Sequence, residues 1–73
     1  MKNNIAILRK KNDLTQIDLA RLVNVSRQTI ISVESGKYNP SLRLAYDISQ
    51  VFQLKIEDIF DFSEKEEDEI WKR

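Results

Sequence analysis

Residues 14–41 read LTQIDLARLVNVSRQTIISVESGKYNPS, and the spacing of caps and apolar positions within them decides the fold. Thr15 stands where a helix N-cap belongs. Its hydroxyl can accept from a free amide at a helix start, and Asp18 falls in the first turn, where the helix dipole favours an acid. Leu19, Ala20 and Val23 recur at i, i+1 and i+4, which makes one apolar stripe on a helix over about 16–23. Asn24 is placed at the tight corner that follows, because a left-handed residue is needed there and Asn tolerates that conformation better than most. Ser26 then caps a second short helix over about 27–35, and Gly36 closes it.

The two sides of this second helix differ in kind. Ile30 and Val33 face inward, whereas Arg27, Gln28, Ile31 and Ser32 face outward. The outward side carries hydrogen-bonding groups and one methyl-bearing residue, not the Glu/Lys mixture of a helix that is merely solvated. Arg can bond guanine through two donors, and Gln can pair with adenine through one donor and one acceptor, so Ser-Arg-Gln-Thr at 26–29 suits the edges of base pairs. An Arg-Gln pair on an isolated helix would be taken as solvent-facing. Inside a capped pair of short helices, base contact is favoured. Ile31 is either a thymine-methyl contact or an incidentally exposed residue, and the sequence allows both.

Around this pair the chain is helical almost throughout. A helix over about 3–11 puts Ile5 and Leu8 inward and ends at Asn12-Asp13, both turn formers. Beyond the loop Lys37-Tyr38-Asn39-Pro40, Ser41 caps a helix over about 42–53 whose inward residues are Leu44, Ala45, Ile48, Val51 and Phe52. Leu54 and Ile56 begin a short fifth helix ending near residue 60, and Ile59 with Phe60 completes the core. Lys55 sits at its capping position, so that helix start is expected to be poorly satisfied. The expected architecture is an all-α, five-helix domain over residues 1–60 with an acidic C-terminal tail over 61–73. Within the tail, Ser63 and Glu66 form a capping-box pattern for an extra helix, while Phe60-Asp61-Phe62 alternates like a short strand.

Composition narrows the function classes. The 73 residues make one small domain, 41% hydrophobic and 33% charged, with one Gly and one Pro. Cys and His are both absent, which removes a disulfide framework, zinc sites and the commonest nucleophile–base pairs. No stretch has the apolar run of a signal peptide or a membrane span, so a cytoplasmic location is expected. Net charge is zero but unevenly placed. Residues 1–60 hold nine Lys or Arg against six Asp or Glu, a net of +3, and residues 61–73 hold three against six, a net of −3. A basic head with an acidic tail fits a domain that meets phosphate with its head. The acids Glu57, Asp58, Glu64, Glu66, Glu67, Asp68 and Glu69 could be taken for a metal or catalytic cluster. A solvated face is favoured, because no second ligand type accompanies them. No cofactor and no metal are expected, and an enzyme is the least favoured class.

In LTQIDLARLVNVSRQTI, VESGKYNPSL and LAYDISQVF, from about residue 4 to residue 60, the chain resembles the Xre/Cro-type (lambda-repressor-like) helix-turn-helix regulators. In size it is similar to their small single-domain members of the cytolysin-repressor type, found in Gram-positive bacteria, which are homodimers without a separate sensor domain. It departs from them in having Asn24 where many relatives have Gly, and in its longer acidic tail. The resemblance implies that Gln16 and Ser26 bind backbone phosphate at the ends of the two motif helices. It also implies that Arg27 and Gln28 reach base edges with Thr29 and Ser32 beside them, and that Lys37, Tyr38, Asn39 and Arg43 lie along the phosphates. It pairs Arg9 of the first helix with Glu34 near the end of the recognition helix, against the alternative of Arg9 on phosphate.

Phe60, Phe62, Ile70, Trp71 and the outward Ile7 are more apolar surface than a monomer of this size normally exposes. They are expected to form a two-fold dimer interface, which would set two recognition helices about one DNA turn apart on a palindromic operator. The expected function is therefore sequence-specific binding of double-stranded DNA as a homodimer, with repression of transcription and no small-molecule effector. One alternative is an antitoxin that binds DNA and engages a partner protein through its tail. Another is an interaction module with an inherited fold, which the intact Arg27, Gln28 and Lys37 disfavour.

Overall fold

The computed structural model describes residues 1–63, and the extra helix expected after Ser63 lies outside them. Five helices follow in order: α1 (Ile5–Lys11), α2 (Gln16–Leu22), α3 (Arg27–Glu34), α4 (Leu42–Phe52) and α5 (Ile56–Ile59). Ile5, Leu19, Ile30 and Ile48, each 0% exposed, come from four different helices and meet in one core. Val33, Ile59 and Phe60 are buried with them, and Leu8, Val51 and Phe52 pack against the cluster half-buried.

The helix starts follow side-chain chemistry closely. Thr15 and Asp18 close a full capping box: Thr15 Oγ1 accepts from the Asp18 amide at 3.0 Å, and Asp18 accepts from the Thr15 amide at 2.9 Å. Those bonds from the Thr15 backbone and hydroxyl, aided by Arg21, hold the Asp18 carboxyl below the usual carboxylate range. The ionised form is thus favoured in the folded chain. Its contribution is present above the unfolded pKa and is lost as pH falls through the folded one. Ser26 and Ser41 accept from the amides of Thr29 and Leu44, each at 3.1 Å. At α5 the cap is one-sided: Asp58 accepts from the Lys55 amide at 3.3 Å, but an ammonium cannot accept a bond in return.

Three helix ends share one device. Asp13, Asn24 and Gln53 take φ of 57°, 59° and 55°, and the next residue's amide reaches back five positions: Leu14 to Arg9 O, Val25 to Ala20 O, Leu54 to Ser49 O. This satisfies carbonyls that a helix end leaves orphaned. Gln53 is the one of the three that no turn-former signal marks.

Three sequence expectations change in the structure. The first helix begins at Ile5, not Asn3, because Asn3 forms an antiparallel bridge with Phe60. The flanking bonds run from the Asn4 amide to Ile59 O and from the Asp61 amide to Lys2 O, both 2.8 Å. A pairing between residues this far apart in the chain competes successfully with one more half-turn of helix. Phe60, expected both in the core and at a dimer interface, is 2% exposed and belongs to the core, so the interface placement is the one that changes. Phe62, two residues on, is 58% exposed, so the two do not share a face as strand-like alternation would have them. The pairing stops at the single bridge and the chain turns at 62–63; Ile70 and Trp71 lie outside the described residues.

Candidate nucleic-acid interface

The candidate surface is built on α3, and the core decides which side of α3 is offered. Ile30 and Val33 sink into the core, so Arg27 and Gln28 stand exposed and Thr29, Ile31 and Ser32 lie half-buried along the rim. The polar groups at the N-terminal end bond chiefly to one another. Ser26 Oγ lies 2.9 Å from Thr29 Oγ1, and Gln28 Nε2 reaches Ser32 Oγ at 3.5 Å, the long limit of a hydrogen bond. Ser26 is therefore a helix cap first, and Thr29 offers its hydroxyl only in competition with Ser26.

The loop after α3 is ordered by the Ser32 carbonyl and by Ser35, a residue that no sequence signal marks. Gly36 takes φ 83°, and the Tyr38 amide donates to Ser32 O at 3.2 Å. Ser35 Oγ donates to the same carbonyl at 2.9 Å and accepts from the Lys37 amide at 3.3 Å. Lys37, Tyr38 and Asn39 are thereby held exposed on the turn that follows the recognition face. Arg43 donates through Nε to both Asp47 oxygens, at 3.1 and 3.2 Å, with its side chain 83% exposed. Such an exposed pair is worth at most about 1 kcal/mol, so a phosphate can displace Asp47.

Behind this surface lies a charged anchor. Arg9 Nε donates to Glu34 Oε2 at 2.7 Å, with the two side chains 11% and 9% exposed. The same guanidinium donates to Leu14 O at 2.9 Å. Arg9 is thus committed inside the protein, which leaves no room for the alternative of Arg9 on phosphate. Gln16 also turns inward: its Nε2 donates to Glu34 Oε1 at 3.2 Å, joining the start of α2 to the end of α3. A carboxamide has a second N–H, so this bond directs Gln16 without exhausting it. The sequence carried no signal for that contact, because the two residues meet only once α2 and α3 have packed.

The arrangement as a whole ties α1, α2 and α3 together through Glu34. It presents a guanidinium and a carboxamide on one helix face, hydroxyls at that face's edge, and a row of exposed Lys, Tyr, Asn and Arg beyond it. It can donate and accept hydrogen bonds from one helix face, with the exposed cations Lys37 and Arg43 following it in the chain. Among the described residues no helix is long and apolar enough to cross a membrane.

Comparison with known proteins agrees with this geometry. The helix-turn-helix family model matches residues 5–59. Over 73 residues the chain is 51% identical to an uncharacterized HTH-type transcriptional regulator of Archaeoglobus fulgidus, covering 100% of this chain and 99% of that protein. It is 53% identical over 66 residues to another such regulator from Methanocaldococcus jannaschii, covering 90% of this chain and 100% of that one. Among solved structures, the restriction-modification controller protein C.AhdI from Aeromonas hydrophila superposes with a TM-score of 0.70 at 27% identity, over 77% of this chain and 85% of that one.

Proposed function

The chain belongs to the helix-turn-helix family of Xre/Cro-type DNA-binding transcriptional regulators, and on that footing we propose that it is a repressor that binds a palindromic operator as a homodimer. The observation that carries the DNA-facing part is the division of α3: Ile30 and Val33 fully buried, Arg27 and Gln28 fully presented. A helix anchored so firmly on one side can enter the major groove without losing its packing. Arg27 and Gln28 then read base edges, with Thr29 and Ser32 beside them. Lys37, Tyr38, Asn39 and Arg43 track the phosphates, joined by Ser26 and the second N–H of Gln16. Repression follows from occlusion, which needs no chemistry beyond tight placement over a promoter.

Support for the dimer comes from the side where the chain leaves α5. Leu42 is 81% exposed and Phe62 58%, and with Pro40 and Ile56 they line an apolar groove of about 130 Å³. A second copy docked there would lie next to the 37–43 segment of each protomer. The palindromic operator proposed for such a dimer has half-sites about 10 bp apart.

Selection of bound duplexes from a random pool tests sequence preference, palindromy and spacing together. On the selected duplex, Arg27→Ala is expected to remove about 1–3 kcal/mol of discrimination between bases. Lys37→Ala is expected to weaken selected and scrambled duplexes alike and to lower the salt slope by about one. Equal losses on both duplexes for Arg27→Ala would overturn its base-reading role. A concentration-independent monomer mass in sedimentation would overturn the dimer, and a co-purifying partner protein would favour the antitoxin alternative.

A further inference from the structure

The geometry points to Asn3 as a positioning residue for DNA reading, a side chain that sets the angle of the recognition helix without touching DNA. The inference rests on the DNA-binding reading above and deepens it. One carboxamide serves three elements. Its Nδ2 donates to Val33 O in the last turn of α3 at 2.9 Å, and to Met1 O at 3.3 Å. Its Oδ1 accepts from the Ile5 amide at the start of α1 at 3.1 Å. Asn3 also pairs through its backbone with Phe60 at the end of α5, two residues before the exposed Phe62. The half-buried side chain therefore stands between the C-terminal end of the recognition helix and the face proposed for the second protomer.

This bond differs from the Arg9–Glu34 anchor in what it holds. The ion pair grips a side chain at the end of α3, and side chains can rotate about their own bonds. Asn3 grips a backbone carbonyl, which moves only if the helix moves. Val33 O already accepts from the Gly36 amide at 3.0 Å, so Asn3 is its second donor, and a donor fixed outside the helix also fixes the helix axis. In a dimer, a small tilt of α3 changes how both half-sites are met. The consequence falls on discrimination between duplexes more than on affinity for phosphate.

Two variants separate this role from simple capping of α1. Asn3→Ala removes both halves of the carboxamide. Asn3→Asp keeps the oxygen that accepts from Ile5, and its charge suits a helix start, but it cannot donate to Val33 O. The measurement is the ratio of affinities for the selected duplex and a scrambled one, taken across a salt series with the full chain, alongside the melting temperature of each variant. The expected result is a fall of about three- to tenfold in that ratio for both variants, the scale of one hydrogen bond lost from a conformational equilibrium. The salt slope should stay unchanged, and Asn3→Asp should melt closer to the parent than Asn3→Ala. Restoration of the ratio by Asn3→Asp would mean that capping of α1 was the whole role and would overturn the inference. An unchanged ratio in both variants would do the same. Loss of sequence preference by the parent chain itself would instead count against the DNA-binding reading.

Discussion

The two ends of α3 are secured in opposite ways. The N-terminal end is held by bonds within its own first turn, from Ser26 to Thr29 and from Gln28 to Ser32. The C-terminal end is held by Gln16, Arg9 and Asn3, which lie 18, 25 and 30 residues away in the chain from the groups they bind. The difference teaches how a short helix can be both firm and available. Local bonds cap the Thr29 amide while leaving Arg27 and Gln28 unenclosed, and distant bonds fix the far end like a clamp. A helix of eight residues has little stability of its own, so this tertiary grip supplies the rigidity that recognition requires.

The sharpest way to break the comparison is at the clamped end. Glu34→Ala leaves the Arg9 guanidinium buried without its charge partner, and the expected cost is about 3–5 kcal/mol in urea or thermal unfolding. Replacing both partners with apolar residues, Arg9→Met with Glu34→Leu, should cost clearly less, since no uncompensated charge is left behind. Gly36→Ala comes next. It forces an L-residue into φ 83° and sets a Cβ 3.3 Å from Met1 O, for an expected loss of about 1–2 kcal/mol from the conformation alone.

At the open end the expected effects are smaller and of another kind. Ser26→Ala should cost about 1 kcal/mol of stability by removing the cap. Ser26→Asp should keep the cap and the melting temperature while weakening binding to every duplex, because a carboxylate then faces phosphate. Arg27→Ala should alter stability by no more than about 0.5 kcal/mol, a melting curve nearly superposed on the parent's. A large destabilisation there would mean that Arg27 is structural and that the two ends are alike.

The pattern of what the sequence revealed follows the same division. Thr15, Ser26 and Ser41 were legible as caps, and Asn24 and Gly36 as left-handed corners, because each acts on residues within a few positions of itself. The burial of Ile30 and Val33 and the exposure of Arg27 and Gln28 were legible from helical periodicity. Gln53 escaped because Gln has no marked preference for the left-handed region, and Asn3 escaped because at the start of a helical pattern it looks like an ordinary first-turn residue. Phe60 was placed both in the core and at an interface, and periodicity at the edge of a four-residue helix is too short to choose between them.

What the residues alone determined was the kind of each element and the side it shows to water, since capping and amphipathic spacing are matters of neighbours within one or two turns. What only the folded chain decided was how α3 is held: the Glu34 carboxylate shared by Arg9 and Gln16, the Asn3 carboxamide on Val33, and the bridge that draws Phe60 inward. Those contacts join points far apart in the chain. Their loop-closure entropy is offset only when the whole core forms at once, so no local window of sequence can announce them.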